Sequence, residues 1–151
     1  MKYARHLAAL FLVLGAVSAI PANAQTNCSN SSLTGTYSIR ITGAIVAGPE
    51  AGLVNGVNLT HFDGNGNLTS VDHVTVNGAV PPVQWRAGVG TYSVNRDCTG
   101  QASFTYPDGQ SPGLTYFFVL TGFSPESWQA AHIDIAVSTP AFNITAVGTK
   151  Q

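Results

Sequence analysis

The chain has 151 residues, of which only 9% are charged, and its formal net charge at neutral pH is −1. Binding to nucleic-acid phosphates requires clustered lysine and arginine side chains, whereas the basic residues after position 24 are scattered. The composition therefore argues against a nucleic-acid partner.

The N-terminus has the three parts of a secretory signal peptide. Lys2 and Arg5 form a positive segment, residues 7–20 form an apolar run, and an Ala-Asn-Ala sequence precedes Gln25. We expect residues 1–24 to be cleaved and the protein to be secreted or periplasmic. The apolar run is shorter than the roughly 20 residues that span a bilayer, so we predict no membrane span. The alternative is an uncleaved anchor.

Residues 25–151 are expected to form a single domain, since a chain of this length buries roughly two thirds of its unfolded surface. This segment contains two cysteines, Cys28 and Cys98. In an exported chain two cysteines favour a disulfide, whereas a metal site needs more ligands at short spacing. We therefore predict a bond between Cys28 and Cys98, with free thiols as the alternative.

Alternating apolar side chains predict a series of short strands. Tyr37, Ile39 and Ile41 alternate with polar residues between positions 35 and 43, which is the pattern of a half-buried strand. Residues 44–56 are rich in glycine and alanine and contain a proline, so we expect a long connection there, either without regular structure or with a short strand at residues 44–47.

The next segment predicts a hairpin. Strands at residues 57–62 and 68–76 flank an Asp-Gly-Asn-Gly-Asn turn, whose residues tolerate the positive φ angles of a tight reversal. After Pro81 and Pro82, a further strand is expected at residues 83–94, with glycines that suggest a bulge.

The second half continues the pattern. The strand at residues 114–121 is apolar on both sides, so we expect both faces to be covered. A Ser-Pro-Glu sequence at Ser124 predicts one helical turn over residues 124–131. Further strands are predicted at residues 102–106, 132–138 and 141–148.

About eight short strands thus follow one another in sequential antiparallel order. Exposed strand edges promote aggregation, and closure into a barrel removes them. We therefore predict an all-β fold consisting of a single antiparallel up-and-down barrel of about eight strands. A β-sandwich is the alternative.

Two Gly-Thr-Tyr segments, at Gly35 and Gly90, resemble the opening strands of calycin-type barrels, the lipocalins and avidins. Residues 28–37, 62–67 and 90–100 are also similar to small exported bacterial proteins of unknown function. The first resemblance implies a barrel, and the second implies no activity. The strands lack the several tryptophans that line an avidin pocket, so no biotin-binding residue is transferred.

Asp63, Asn65 and Asn67 have the spacing of the first three ligands of an EF-hand calcium loop. Leu68 and Val74 stand where that loop has its glycine and its glutamate. A hairpin turn explains the same residues, so we predict no calcium site.

His61 and His73 lie on either side of this turn. If the turn centres on Asn65, both imidazoles point to one face of the hairpin and Asp72 points to the other. Paired imidazoles suit a metal or a proton shuttle, but no third ligand is identifiable. We predict no metal site and no cofactor.

Catalytic chemistry has little support in the sequence. There is no Gly-x-Ser-x-Gly elbow, and nothing selects Asp72 and Asp134 as a glycosidase pair. Arg86 is expected to brace a turn or pair with Asp97. We therefore predict no catalytic residues.

Two functions remain compatible with these features. The favoured one is non-enzymatic binding of a small apolar or amphipathic ligand, or of a cell-surface partner. The alternative is a cyclase or isomerase whose barrel lumen holds acid–base groups such as His73 or Asp72. The oligomeric state is left open. Tyrosines combine an apolar ring with a hydroxyl that fixes orientation, and the predicted ligand contacts are Tyr37, Trp85, Tyr92 and Tyr116. The alternative is that the inward aromatic side chains only fill the core of a small barrel.

Overall fold

The computed structural model describes residues 27–107, 109 and 113–151. The predicted signal peptide, residues 1–24, lies outside the described residues. A short 3-10 helix, Asn30–Ser32, precedes eight strands. The strands are β1 (Thr34–Ile45), β2 (Gly52–Asp63), β3 (Asn67–Val76), β4 (Arg86–Val94), β5 (Thr99–Thr105), β6 (Leu114–Phe123), β7 (Ala130–Val137) and β8 (Phe142–Lys150). No helix in this part of the chain is long and apolar enough to cross a membrane.

The eight strands close into one antiparallel barrel in sequence order. Closure depends on β1, in which Ile39 lies opposite Asn58 of β2 on one side and Gly148 of β8 on the other. Each described strand therefore has two partners, and its backbone groups are paired on both edges. The predicted up-and-down barrel is confirmed, and the β-sandwich alternative is wrong.

Side chains alternate between the barrel interior and the solvent. In β6, Tyr116, Phe118 and Leu120 are buried inside, whereas Phe117 and Val119 are 52% and 46% exposed. The expectation that both faces of this strand are covered is wrong. The barrel wall is a single layer, and no other described element packs against the outside of β6.

One end of the barrel is filled by aromatic side chains. The Phe62 ring packs edge-to-face against Tyr37 and Tyr92, with ring centroids 5.6 and 5.1 Å away. Leu33, just after the 3-10 helix, is fully buried against them. Hydrogen bonds fix the two phenols: Tyr37 donates to the carbonyl oxygen of Ala130, and Tyr92 donates to that of Leu33 at 2.8 Å. We call this the closed end.

A disulfide joins the N-terminal segment to the closed end. Cys28 and Cys98 are bonded and buried, with Cα atoms 5.1 Å apart. Asn30 strengthens the attachment, because its side-chain oxygen accepts a hydrogen bond of 2.9 Å from the Val94 amide. The predicted disulfide is confirmed, and the described residues contain no free cysteine.

The connection between β1 and β2 is shorter than predicted, spanning residues 46–51 instead of 44–56. A Cβ atom on Gly43 would lie 2.3 Å from the Asn143 carbonyl oxygen, and one on Gly56 would lie 2.8 Å from that of His73. These glycines therefore do not mark a loop. They allow neighbouring strands to approach more closely than a side chain permits.

The helical turn predicted over residues 124–131 is confined to its start, where the Trp128 amide donates to the Ser124 carbonyl at 2.9 Å, and it is not continued into a helix. Residues 125–127 form a turn, and β7 begins at Ala130. Trp128 has a φ of 53°, a left-handed conformation that ends any helix, and the Ser124 amide donates to the Gln129 carbonyl at 3.0 Å. The need to return the chain antiparallel within a few residues overrides the local helical propensity.

Candidate functional site

The half of the barrel opposite the closed end contains a cavity of about 940 Å³. The connections β1–β2, β3–β4 and β7–β8 surround this end, which we call the mouth. The cavity lining combines aliphatic side chains with the rings of Phe104, Tyr106, Tyr116 and Phe142. The aliphatic lining comes largely from β1, β7 and β8, and includes Ile39, Ile41, Ile135, Val137, Ile144 and Ala146.

The polar groups of the lining are clustered on one side of the cavity, among apolar side chains of the same strands that include Val54, Leu68 and Val74. Polar inward positions on β2, β3 and β4, continued just past β5, form what we call the polar stripe: Asn58, Thr60, Ser70, Asp72, Arg86 and Tyr106. Strand register brings these residues together, since Asp72 lies opposite both Asn58 and Arg86. One step nearer the closed end, Ser70 lies opposite both Thr60 and Gly88.

Asp72 is the centre of a buried ionic network. Its side chain is 2% exposed, and its two carboxylate oxygens each accept a hydrogen bond of 3.1 Å from the Arg86 guanidinium. The Tyr106 hydroxyl donates to the same carboxylate at 2.6 Å, and the guanidinium carbon lies 3.7 Å from the centre of the Tyr106 ring. The buried negative charge is therefore compensated by a bidentate cation and a neutral donor.

Arg86 is placed differently from the prediction. Instead of bracing a turn or pairing with Asp97, it begins β4 and points into the barrel. The signal was present in the alternation of β4, in which Arg86 shares the inward face with Tyr92. The sequence did not indicate which residue of β3 lies opposite Arg86, because that residue depends on the length of the β3–β4 loop.

The next level of the polar stripe contains hydroxyl and amide groups. The Thr60 hydroxyl donates to the side-chain oxygen of Asn58. The Ser70 hydroxyl oxygen is buried and has no hydrogen-bond partner among the described residues. Gly88 leaves space beside it, because a Cβ atom there would lie 2.8 Å from that oxygen and 3.0 Å from the Phe104 ring. An unpaired buried hydroxyl of this kind costs about 1–3 kcal/mol unless another molecule satisfies it.

Loop side chains complete the mouth. Asn77 connects two loops, accepting a hydrogen bond from the Leu53 amide at 2.9 Å and donating to the Ala51 carbonyl at 3.3 Å. Val80 and Val83 line the cavity and are also well exposed to solvent. The entrance to the cavity therefore has an apolar rim on the β3–β4 side.

The four predicted ligand contacts occupy different parts of the molecule. Tyr116 lines the cavity, and burial raises the pKa of its phenol. Tyr37 and Tyr92 point into the barrel but fill the closed end. Trp85 lies outside, 58% exposed, with its ring centre 6.0 Å from that of His73. Only Tyr116 is among the described residues that line the cavity, and ligand contact by any of the four stays a prediction.

His61 and His73 share one face of the hairpin, as a turn centred on Asn65 implies, and the structure places that face on the outer surface. His61 contacts the Thr36 hydroxyl at 3.2 Å, and His73 donates through Nδ1 to the Gln84 carbonyl at 2.7 Å. Asp72, on the other face, points inward. His73 is therefore not a lumen acid–base group. In the described ranges, no three His, Cys, Asp or Glu side chains are grouped to hold a metal.

Two other acidic candidates have structural explanations. Asp134 is exposed on the outside of β7, so it cannot face the inward Asp72 across a cleft. Asp63 holds the β2–β3 turn, accepting hydrogen bonds from the amides of Asn65 and Asn67 at 2.7 and 2.9 Å. These bonds, with one from the Asn67 side chain, lower the pKa of Asp63 to about 2. The geometry favours a hairpin turn over a calcium loop.

A comparison with protein-family models, with curated protein sequences and with solved structures found no match to this chain.

Proposed function

We propose that this protein is an exported β-barrel that binds a small amphipathic molecule in the mouth half of the barrel, without chemistry. The observation that carries the proposal is the lining of the cavity, in which a largely apolar surface includes one cluster of polar side chains. Pockets for small molecules typically enclose about 300–1,000 Å³ and combine apolar walls with a few polar groups that fix orientation. Export is supported by the N-terminal leader and by the buried disulfide.

In this proposal, the closed end of the barrel provides stability and the mouth half binds the ligand. The closed end contains the interlocked rings of Tyr37, Phe62 and Tyr92 and the disulfide, which are fully used in packing. The mouth half has a wall of inward side chains on strands that are hydrogen-bonded on both edges, which restricts the movement of that wall. A rigid apolar wall lowers the ordering cost of binding.

Two tryptophan substitutions on β3 test the site. Val74 lines the cavity, whereas Val71 points outward on the same strand and is 37% exposed. Val74→Trp should fill the lumen and weaken binding of a neutral hydrophobic dye, such as N-phenyl-1-naphthylamine, by at least about tenfold. Val71→Trp should leave binding unchanged. Equal binding by both variants would place the site elsewhere, and no saturable binding by the wild-type domain would refute the proposal.

A barrel-lumen isomerase or cyclase is the second candidate, supported by the Tyr106–Asp72 hydrogen bond in the cavity wall. A phenol and a carboxylate that share a proton are able to act as acid and base on a bound molecule. Tyr106→Phe should then abolish conversion of the ligand while it still binds. Recovery of a bound ligand chemically unchanged after long incubation with the wild-type protein would reject this candidate.

A further inference from the structure

We infer that the polar group of the bound molecule is an uncharged alcohol or ketone, held by the Ser70 hydroxyl and the Asn58 amide. The inference rests on the proposed binding function and specifies the ligand class for the same cavity. It starts from Ser70, whose hydroxyl is buried, lines the cavity and has no partner in the described part of the chain. Ser70 is 7% exposed, so its side chain is largely shielded from the outer solvent.

Asn58 supplies a second group at this place. The Thr60 hydroxyl donates to the Asn58 side-chain oxygen, so the amide NH2 of Asn58 remains as a donor. This NH2 group makes no hydrogen bond to the residues that the structure describes. Asn58 and Ser70 lie on adjacent strands, since Ser70 is opposite Thr60 and two residues from Asp72, the partner of Asn58. A hydroxyl that donates or accepts and an amide that donates suit a ligand oxygen.

The charges of the cavity disfavour an ionised ligand. The ionisable side chains of the described lining are Glu50, Asp72, Arg86, Tyr106 and Tyr116. Asp72 and Arg86 neutralise each other through two hydrogen bonds, and burial raises the pKa of Tyr116, so this phenol stays neutral. Glu50 leaves a net negative charge at the mouth, which repels a carboxylate. A cation would have to compete with Arg86 for Asp72, whose oxygens already accept three hydrogen bonds.

The remaining wall accommodates the apolar part of the same molecule. Ile39 is adjacent to Asn58 across the β1–β2 pair, and Ile135 and Ala146 face each other across β7 and β8. All three line the cavity. A ligand oxygen at Asn58 therefore has the Ile39 side chain on the neighbouring strand, and this aliphatic surface suits the hydrocarbon part of a neutral alcohol or ketone.

A matched ten-carbon series tests the inference. Displacement of N-phenyl-1-naphthylamine should be measured with 1-decanol, 2-decanone, decane, decanoate and decylammonium at about pH 8, where the last two are charged. We expect decanol and decanone to bind about three- to tenfold more tightly than decane, and more tightly than either ion. Ser70→Ala should remove this preference without weakening decane. Ser93→Ala, an exposed serine on β4, is the matched control and should keep it.

Each alternative result has a distinct meaning. Tightest binding of decanoate or decylammonium, or equal weakening of decane and decanol by Ser70→Ala, would overturn the inference while the binding function stands. Absence of displacement by all five compounds, with the dye itself not bound, would overturn both. Loss of the preference in Ser93→Ala as well would show that Ser70 is not its source, and would also overturn the inference.

Discussion

Reduction of the Cys28–Cys98 bond should remove a large part of the stability of the domain. The bond closes a loop with a sequence separation of 70 residues. In the chain-entropy model, closing a loop of this length lowers the conformational entropy of the unfolded chain by about 15 cal/mol/K. This corresponds to about 4 kcal/mol of stabilisation at room temperature. Single domains are stable by about 5–15 kcal/mol, so the reduced barrel should be marginal.

The position of the bond supports this magnitude. Both sulfurs are buried at the closed end, and Cys98 has a φ of 68°, a left-handed conformation that is unfavourable for a residue with a side chain. The Leu120 amide donates to the Cys98 carbonyl at 2.9 Å, so the cysteine is also tied to β6. Release of Cys28 therefore loosens the segment that covers the closed end, in addition to relaxing the unfolded chain.

Urea unfolding of the oxidised and reduced protein measures the effect. With m-values of about 1–3 kcal/mol/M, the midpoint should fall by about 1.5–4 M on reduction. The Cys28→Ala/Cys98→Ala variant should lose a similar free energy of unfolding and should not respond to reductant. A difference below about 1 kcal/mol between oxidised and reduced wild-type protein would refute the reasoning.

Three further predictions concern single charged or phenolic groups. Arg86→Met should lower the free energy of unfolding in urea by about 3 kcal/mol, because it leaves Asp72 buried without its cation. Arg86→Met/Asp72→Leu should recover most of this loss, and additive losses would contradict the pairing. Tyr37 has a pKa raised to about 12, so the stability of the domain should fall as the pH rises from about 10 to 12. Tyr37→Phe should lessen that fall, and an identical dependence on alkaline pH in the variant and the wild type would contradict this prediction. Asp63 has a pKa lowered to about 2, so its contribution to the free energy of unfolding should disappear as the pH falls from about 4 to 2. Asp63→Ala should therefore be less stable than wild type at pH 7, and its stability should depend less on acid. The exposed control Thr69→Ala should show neither change.

Much of the fold follows from local pattern. The period-two alternation in Tyr37, Ile39 and Ile41 identifies a strand and the side that is buried, because successive side chains point to opposite faces. The Asp63 turn then sets the register of β2 against β3. That register is why the sequence predicts His61 and His73 on one face of the hairpin and Asp72 on the other, whereas the closed barrel decides which of the two faces is inward.

The candidate site depended on information that alternation does not contain. Tyr92 and Tyr116 both point inward, yet one seals the closed end and the other lines the cavity. Alternation states the face of a side chain but not its height along the barrel axis, which is decided by the stagger between paired strands and by closure of β1 on β8. The pairing of Asp72 with Arg86 was hidden for the same reason, because it depends on where β4 begins after a proline-containing loop. Local pattern therefore indicates most of the strands and, except in β6, the face that each one buries. Which inward residues meet follows only from closure of the barrel, because their levels are set by pairing between strands distant in sequence.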